Sequence, residues 1–158
     1  HISVPDMIRN YSRCRKVGIN YLLNVGPEPS GKLPALEKAM LKQFGDWFDC
    51  HGKPLTTARP AGISCDHESV FLMEADDAVY GAVEGLGISG NVAVTVDNGH
   101  NRTVTLSNLS RPLRNAHWLD NQEPIQTEPV NEKTLRMHLT PNPYGCDYIV
   151  RVFRAEKS

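Results

Sequence analysis

The spacing of apolar residues changes near Gly52, and this change limits the chain to a fold with two kinds of layer. Before Gly52, apolar residues recur at helical spacing on both sides of a short apolar run, whereas after about residue 68 they alternate within short segments. This order predicts a small α/β part joined to an all-β part. The Gly- and Pro-containing stretch between them predicts a linker. We therefore divide the chain into residues 1–52, 53–68 and 69–158.

Two helices are predicted in the first part. Ser3 can cap the first helix, which has Pro5 in its first turn, and Gly18 ends it. Pro34 opens the second helix and Gly52 closes it. This helix carries an apolar stripe made of Leu36, Met40, Phe44, Trp47 and Phe48.

About eight short strands are predicted in the last part, with turn-forming residues between them. Apolar and polar residues alternate most clearly within 92–96 and 135–139, as expected where one face of a sheet meets solvent. Strands of this number and spacing favour an antiparallel β-sandwich. They span 69–74, 78–83, 91–96, 103–106, 113–118, 124–128, 134–139 and 148–153.

The run Ile19–Val25 is nearly all apolar apart from two asparagines. A run that is apolar on both faces is typical of a buried parallel strand, so the first part predicts a helix, a buried strand and a helix. Residues two apart in a strand share a face, which places Asn20, Leu22 and Asn24 together. The opposite, wholly apolar face would then pack against helices.

Composition and charge exclude several classes of protein. At 158 residues the chain is too short for a complete (β/α)8 barrel, which needs roughly 250 residues. A net charge of −1 argues against a nucleic-acid partner, and no apolar run reaches the roughly 20 residues of a membrane-spanning helix. The cysteines form no CxxC pair and the histidines no HxxxH or HxH pair, so neither a metal site nor a cofactor is expected. The first residues lack an initiator Met, and we expect the natural amino terminus to lie upstream.

Several short motifs of the first part resemble the end of one enzyme barrel. They are Gly18–Pro27, Gly31, Leu33–Pro34 and Gly45–Trp47. They are similar to the last strand and helix of the α-L-fucosidase barrel, glycoside hydrolase family 29, in which the barrel leads into a carboxyl-terminal β-sandwich. The resemblance implies the last helix, strand and helix of an incomplete (β/α)8 TIM barrel, followed by the sandwich. Two positions depart from the family: Ile19 stands where a second glycine is usual, and Ser30 where an aspartate is usual.

The resemblance also implies a retaining mechanism, in which one carboxylate attacks the anomeric carbon of fucose and a second carboxyl protonates the departing oxygen. In the family both groups lie on earlier barrel strands, so no catalytic residue is assigned to this chain. Three residues are predicted to bind substrate. Asn24 lies near the carboxyl end of the predicted strand, where it either contacts sugar or ties strands together, while an interior role is favoured for the deeper Asn20. Glu28 follows on the loop, close to where substrate is expected.

Two functions from different classes stay open. The first is the carboxyl-terminal portion of an α-L-fucosidase that removes terminal α-L-fucose from glycans. Its partners would be a fucosylated glycan or glycoconjugate, the remainder of the catalytic barrel and, as an open alternative, a second copy in a homo-oligomer, in an extracytoplasmic or lysosomal-like compartment. This function predicts exposed apolar surface at Met7, Tyr11, Phe44 and the edge of the predicted strand, where barrel neighbours would pack. The second is a free-standing carbohydrate-binding or interaction module, which predicts a well-folded monomer.

Overall fold

The computed structural model describes residues 2–90, 93, 99–145 and 149–158. The helices are α1 (Val4–Lys16), α2 (Ala35–Trp47), a π-helical turn (Phe48–Gly52) and α3 (Lys53–Thr57). The strands are β1 (Arg59–Pro60), β2 (Ser64–Cys65), β3 (Val70–Glu74), β4 (Ala78–Glu84), β5 (Arg102–Ser107), β6 (Leu113–Trp118), β7 (Gln126–Asn131), β8 (Thr134–Leu139) and β9 (Val150–Lys157). They form two antiparallel sheets, with the orders β1-β3-β4-β9-β6 and β2-β5-β8-β7, so the predicted sandwich is confirmed. Within the described ranges no helix has the length and apolar character needed to cross a membrane.

Helix α1 has the boundaries that its local sequence predicts. The Ser3 side-chain oxygen accepts a hydrogen bond from the Asp6 backbone N–H at 3.2 Å, which satisfies a donor that a helix start leaves without an intrahelical partner. At the other end Gly18 has φ +79°, a backbone conformation that residues with a Cβ rarely adopt. Because both signals are local, the sequence alone is enough to place this helix.

The helix that begins after Pro34 does not end at Gly52, and this prediction was wrong. The π-helical turn leads without a break into α3, and the chain leaves the helical conformation only at Ala58, where ψ is 155°. Gly52 has φ −80° and ψ −36°, which any residue can adopt. It is glycine for another reason: a Cβ there would lie 2.7 Å from Phe48 Cδ2 and 2.9 Å from Trp47 Cζ3. The absence of a side chain lets both rings pack against the backbone.

The core of the sandwich lies between the two sheets. Trp118 and Phe153 are fully buried there, with ring centroids 6.0 Å apart in an edge-to-face arrangement. Gly81 of β4 lies opposite Phe153 of β9, and a Cβ on Gly81 would come 2.1 Å from Phe153 Cζ, so the ring occupies the space above the glycine. The four-stranded sheet contributes Val104, Leu106, Leu135, Met137 and Leu139, whose alternation with more exposed residues produces the period seen in the sequence.

A second apolar core lies on the other face of the five-stranded sheet. The helices cover this face, so the molecule has three layers: helices, five-stranded sheet and four-stranded sheet. Trp47 Nε1 donates to the Val150 carbonyl at 2.7 Å, and the Val152 N–H donates to His51 Nδ1 at 3.2 Å. Because both faces of the middle sheet are covered, most of β9 is buried without alternation. The residues of this second core are Ile8, Tyr11, Trp47, Leu55, Ala58, Met73, Ala82, Val150 and Val152.

Five of the predicted strands are confirmed: β6 and β8 have the predicted ends, and β3, β4 and β5 have ends shifted by one residue. The predicted strand 124–128 lies slightly later in the chain, as β7, and 148–153 begins and ends later, as β9. The predicted strand 91–96 lies outside the described residues apart from Ala93. Residues 53–68, predicted as a linker, contain α3 and the two-residue strands β1 and β2, each paired with a longer strand. Two residues are too few for apolar and polar positions to alternate, so these strands could not be predicted from the sequence. The division of the chain into domains stays a prediction.

Residues Ile19–Val25, predicted as a buried parallel strand, pair with no strand in the described part of the chain. A strand is stabilised by hydrogen bonds to its neighbours, and all the strand pairs within the two sheets are antiparallel. No parallel partner is therefore available in these sheets, and the run lies between α1 and α2 without regular structure.

Candidate functional site

The segment between α1 and α2, residues 18–34, contains all three predicted substrate-binding residues and is called the connecting segment below. Its start is fixed to the end of α1: the Gly18 N–H donates to the Arg15 carbonyl at 3.0 Å, and the Ile19 N–H donates to the Cys14 carbonyl at 2.9 Å. The Arg15 guanidinium in turn donates to the carbonyls of Ile19, Leu55 and Ala58 at 3.0 to 3.2 Å. One side chain thus ties the connecting segment to the end of α3.

The middle of the connecting segment is a closed turn that holds Glu28. The Glu28 N–H donates to the Lys32 carbonyl, and the Gly31 N–H donates to the Glu28 carbonyl, both at 2.8 Å. Gly31 has φ +80°, which explains a glycine at this position. The Ser30 hydroxyl accepts from the Lys32 N–H at 3.4 Å, so the residue that departs from the fucosidase pattern completes the turn. The Glu28 carboxylate is exposed on this turn.

Residues 20–24 of the connecting segment alternate between exposed and half-buried. Asn20, Leu22 and Asn24 are exposed, whereas Tyr21 and Leu23 are half-buried, with Tyr21 packed against the second core. The predicted alternation is present only over residues 20–24, because Ile19 and Val25 are exposed as well, and the hydrogen bonds of a strand are absent from this described segment. Asn20 and Leu22 lie on the exposed side of the segment, whereas Asn24 lies against α2.

The structure does not bring the three predicted residues into one pocket. Asn24 lines a cavity of about 120 Å³ together with Glu37 and Met40 of α2, and neither Asn20 nor Glu28 lines it. Glu37 is a further candidate that was not predicted from the sequence, where it stands apart from the apolar stripe of α2. The available signal was an acidic residue in the first turn of a helix, where the helix dipole favours negative charge.

Five of the exposed large apolar residues lie in or beside the connecting segment: Val17, Ile19, Leu22, Val25 and Leu36. Leu22 is 83% exposed. The prediction of exposed apolar surface is confirmed for the predicted strand but was wrong for Met7, Tyr11 and Phe44. Met7 and Tyr11 are buried, and Phe44 is half-buried in contact with the Tyr11 ring. Leu36, predicted in the apolar stripe of α2, is exposed.

Two buried ionisable side chains belong to the packing between layers. The Arg151 guanidinium is fully buried, 3.1 Å from Asp120 and 4.1 Å from the centre of the Trp118 ring, so its charge is neutralised inside the fold. Burial lowers the pKa of His51 to about 4, and this imidazole is neutral at pH 7, with Nδ1 as an acceptor. Over the residues that the structure describes, no group of three or more His, Cys, Asp and Glu side chains could hold a metal ion.

Known proteins match both parts of the chain. A family model described as Alpha-L-fucosidase matches residues 2–53, which include α1, the connecting segment and α2. An α-L-fucosidase from Branchiostoma floridae is 23% identical over 117 residues, covering 72% of this chain and 26% of that protein. The solved α-L-fucosidase isoenzyme 1 from Paenibacillus thiaminolyticus has a TM-score of 0.72 and 19% identity, covering 100% of this chain and 35% of that one. The Thermotoga maritima α-fucosidase has a TM-score of 0.63 and 20% identity, covering 98% and 34%.

The fold is therefore that of the carboxyl-terminal part of a glycoside hydrolase, in which packed helices lead into a β-sandwich. Within this class, the chain is similar in sequence and fold to the carboxyl-terminal part of the α-L-fucosidases of glycoside hydrolase family 29. It spans about a quarter of the curated relative and about a third of each solved structure. The resemblance carried by the connecting segment and the start of α2 is confirmed.

Proposed function

We propose that the protein carrying this chain hydrolyses terminal α-L-fucosidic bonds of glycans. In this proposal residues 1–52 supply the last helix, strand and helix of a (β/α)8 barrel, and residues 69–158 supply the accessory sandwich after the linker 53–68. One observation carries the proposal: the region matched by the family model contains an apolar run that is exposed and unpaired here. Leaving such a run in water is unfavourable, and the neighbouring strand and helices of a barrel would cover it.

The reaction would be a retaining hydrolysis, with both of its carboxyl groups upstream of this chain. The contribution of this chain would be to bind the sugar. An asparagine amide both donates and accepts hydrogen bonds, which suits a sugar hydroxyl, and Asn24 lies at the end of the run where barrel enzymes place their active sites. Glu28, held on its closed turn, would accept hydrogen bonds from hydroxyls farther out. Asn20 shares the face of Asn24 from a deeper position.

The three-layer packing supports this role because it fixes both ends of the connecting segment. Arg15 holds the start of the segment against the end of α3, and Trp47 and His51 hold the helices that follow against β9. The sandwich would then act as a rigid support for one wall of the active site. The alternative, a free-standing carbohydrate-binding module, is less well supported, because the family match runs through the helical part rather than the sandwich.

The test compares the 158-residue chain with the full-length protein that contains it, using 4-nitrophenyl α-L-fucoside. We expect turnover by the full-length protein and none by the chain alone. Turnover by the chain alone would contradict the placement of the catalytic carboxyl groups upstream. A folded full-length protein that releases no nitrophenol from this substrate and no fucose from fucosylated glycans would contradict the function itself.

The same assay tests the sugar-binding face in the full-length protein. Asn24→Ala is expected to lower kcat/KM about tenfold or more, since a hydrogen bond to the sugar contributes roughly 0.5–1.5 kcal/mol and more in the transition state. Asn101→Ala, at an exposed asparagine outside the connecting segment, is the matched control and should leave kcat/KM unchanged. Equal kinetics for the two variants would remove Asn24 from the site while leaving the proposed reaction untouched.

A further inference from the structure

A polar cleft of about 220 Å³ lies between one face of α1 and the five-stranded sheet. Helix α1 lines it with Arg9, Ser12, Arg13 and Lys16. These positions are three and four residues apart, so their side chains form one stripe along the helix. The opposite wall is formed by Glu68 and Ser69 before β3, Phe71 of β3, Ala82 and Glu84 of β4, and Val150 of β9.

The positive charges of this cleft exceed its negative charges. Arg9 Nε donates to Glu84 Oε1 at 2.8 Å, so those two charges cancel. Arg13 and Lys16 form no ion pair with any described residue, and Glu68 is the other carboxylate of the lining. Beside Ser69, the Arg102 guanidinium donates to neutral oxygens: Ser69 Oγ at 2.7 Å and the carbonyls of Glu84 and Gly85 at 3.0 and 2.6 Å. The cleft therefore attracts a negatively charged group.

An unsatisfied hydroxyl lies in the same cleft. Ser12 is only 3% exposed, and its Oγ has no hydrogen-bond partner among the described residues. A buried hydroxyl without a partner is unfavourable, and native proteins contain few of them. A ligand oxygen seated between α1 and the sheet would accept from this hydroxyl. The hydroxyl thus marks the place in the cleft where an acceptor is missing.

We propose that this cleft binds a small oxyanion, as a carboxylate, sulfate or phosphate group. Arg13 and Lys16 supply the charge, the Ser12 hydroxyl donates a hydrogen bond, and Glu84 fixes the position of Arg9 at the edge. Phe71 and Ala82 form an apolar wall that limits the room for water around the anion. The group would come either from a free inorganic ion or from the charged substituent of an anionic sugar. This site is independent of the proposed hydrolysis.

The direct test is equilibrium dialysis of the complete 158-residue chain against radiolabelled sulfate. Sodium chloride keeps the ionic strength constant. A binding measurement is needed because sulfate stabilises most folded proteins by exclusion from their surface, which a thermal shift would report as well. We expect saturable binding of one sulfate per chain. Sulfate that is bound without saturation, or displaced equally well by chloride, would overturn the proposal. If galactose 6-sulfate competes at least tenfold better than inorganic sulfate, the ligand is the substituent of an anionic sugar. If the two compete equally, the ligand is the free ion. Neutral galactose is expected not to compete.

Three variants that each lose one positive charge, together with a variant of Ser12, locate the site. Arg13→Gln and Lys16→Gln are each expected to weaken sulfate binding about tenfold, which corresponds to one charge-assisted hydrogen bond. Arg114→Gln removes a positive charge from an exposed position on β6 and should leave binding unchanged. Ser12→Ala should weaken binding several-fold without unfolding the chain, since the lost hydroxyl bonds to none of the residues that the structure describes. Equal losses for Arg13→Gln and Arg114→Gln would show a general charge effect and overturn the proposal.

Discussion

At the scale of single residues, two glycines of the helical region differ in the space that a side chain would find. A Cβ at Gly52 would come within 2.9 Å of two aromatic rings, whereas a Cβ at Gly45 meets nothing within 4 Å. Gly52→Ala is expected to destabilise the chain by about 1–3 kcal/mol, because the rings of Trp47 and Phe48 must move. The measurement is the urea midpoint of unfolding at an unchanged m-value.

The control for this prediction is Gly45→Ala in α2. Alanine is favoured over glycine inside a helix by roughly 0.5–1 kcal/mol, and the site has room for the methyl group, so this variant should be stabilised. The two substitutions add the same atoms and differ only in what those atoms meet. A stabilised Gly52→Ala variant would show that the rings yield easily and that the packing argument fails.

At the scale of elements, His51 joins the π-helical turn to β9 in a way that depends on pH. The pKa of His51 lies near 4 in the folded chain because of burial, below its ordinary value of about 6.5. Between these pH values the unfolded chain binds one more proton at His51 than the folded chain does. The free energy of unfolding therefore has its full value above pH 6.5 and decreases as the pH falls toward 4. Between pH 7.5 and 5 the free energy of unfolding should fall by about 2 kcal/mol from this residue alone. Urea titrations at the two pH values measure it.

The variants His51→Gln and His100→Gln separate this contribution from the other titrating groups. Gln keeps an acceptor for the Val152 N–H but does not titrate, so His51→Gln should lose most of the pH dependence, whereas the exposed His100→Gln should keep it. An unchanged pH dependence in His51→Gln would mean that other groups cause it. Carboxylates with lowered pKa values, such as Glu128 bonded to His138, titrate below this window.

Elements whose signals are local could be predicted from the sequence, and those that depend on distant contacts could not. The cap at Ser3 and the alternation in β8 each lie within a few residues, and both elements are where the sequence places them. The continuation through Gly52 depends on the packing of the helix against β9, about a hundred residues later in the chain. Likewise, Ile19–Val25 has the composition of a buried strand, but its formation depends on neighbours that the local sequence does not contain.

The same division applies to the two candidate sites. Asn24 could be selected because a position at the end of a predicted strand is a local property, whereas its neighbour Glu37 depends on how α2 folds back. The basic stripe of α1 is visible in the sequence, but Glu84 on the facing wall is 75 residues away from Arg9. Neither the cleft nor the Ser12 hydroxyl, which has no hydrogen-bond partner in the described part of the chain, can be recognised before the helix is docked on the sheet.

At the scale of the whole molecule, one substitution at Leu22 is expected to be nearly neutral in the chain alone and strongly destabilising in the full-length protein. In the chain by itself Leu22 is 83% exposed, so Leu22→Asp should change the free energy of unfolding by less than about 0.5 kcal/mol. It should also reduce self-association and the binding of an apolar dye, since it removes an exposed apolar side chain. In the full-length protein the proposed barrel would bury this position. There the same variant should lose roughly 3 kcal/mol or more, because a buried carboxylate has no partner.

Val130→Asp is the matched control for this difference between the two proteins. Val130 is an exposed large apolar residue on β7, outside the connecting segment, and its substitution should have a small effect in both proteins. Thermal unfolding and light scattering of the four variant proteins measure the two effects together. A similar small effect of Leu22→Asp in both proteins would mean that the connecting segment stays in water in the full-length protein, and the proposed barrel strand would be contradicted. A large loss confined to the full-length protein would instead require a partner that covers Leu22 and not Val130, which is what the last strand of a closed parallel barrel has on each side.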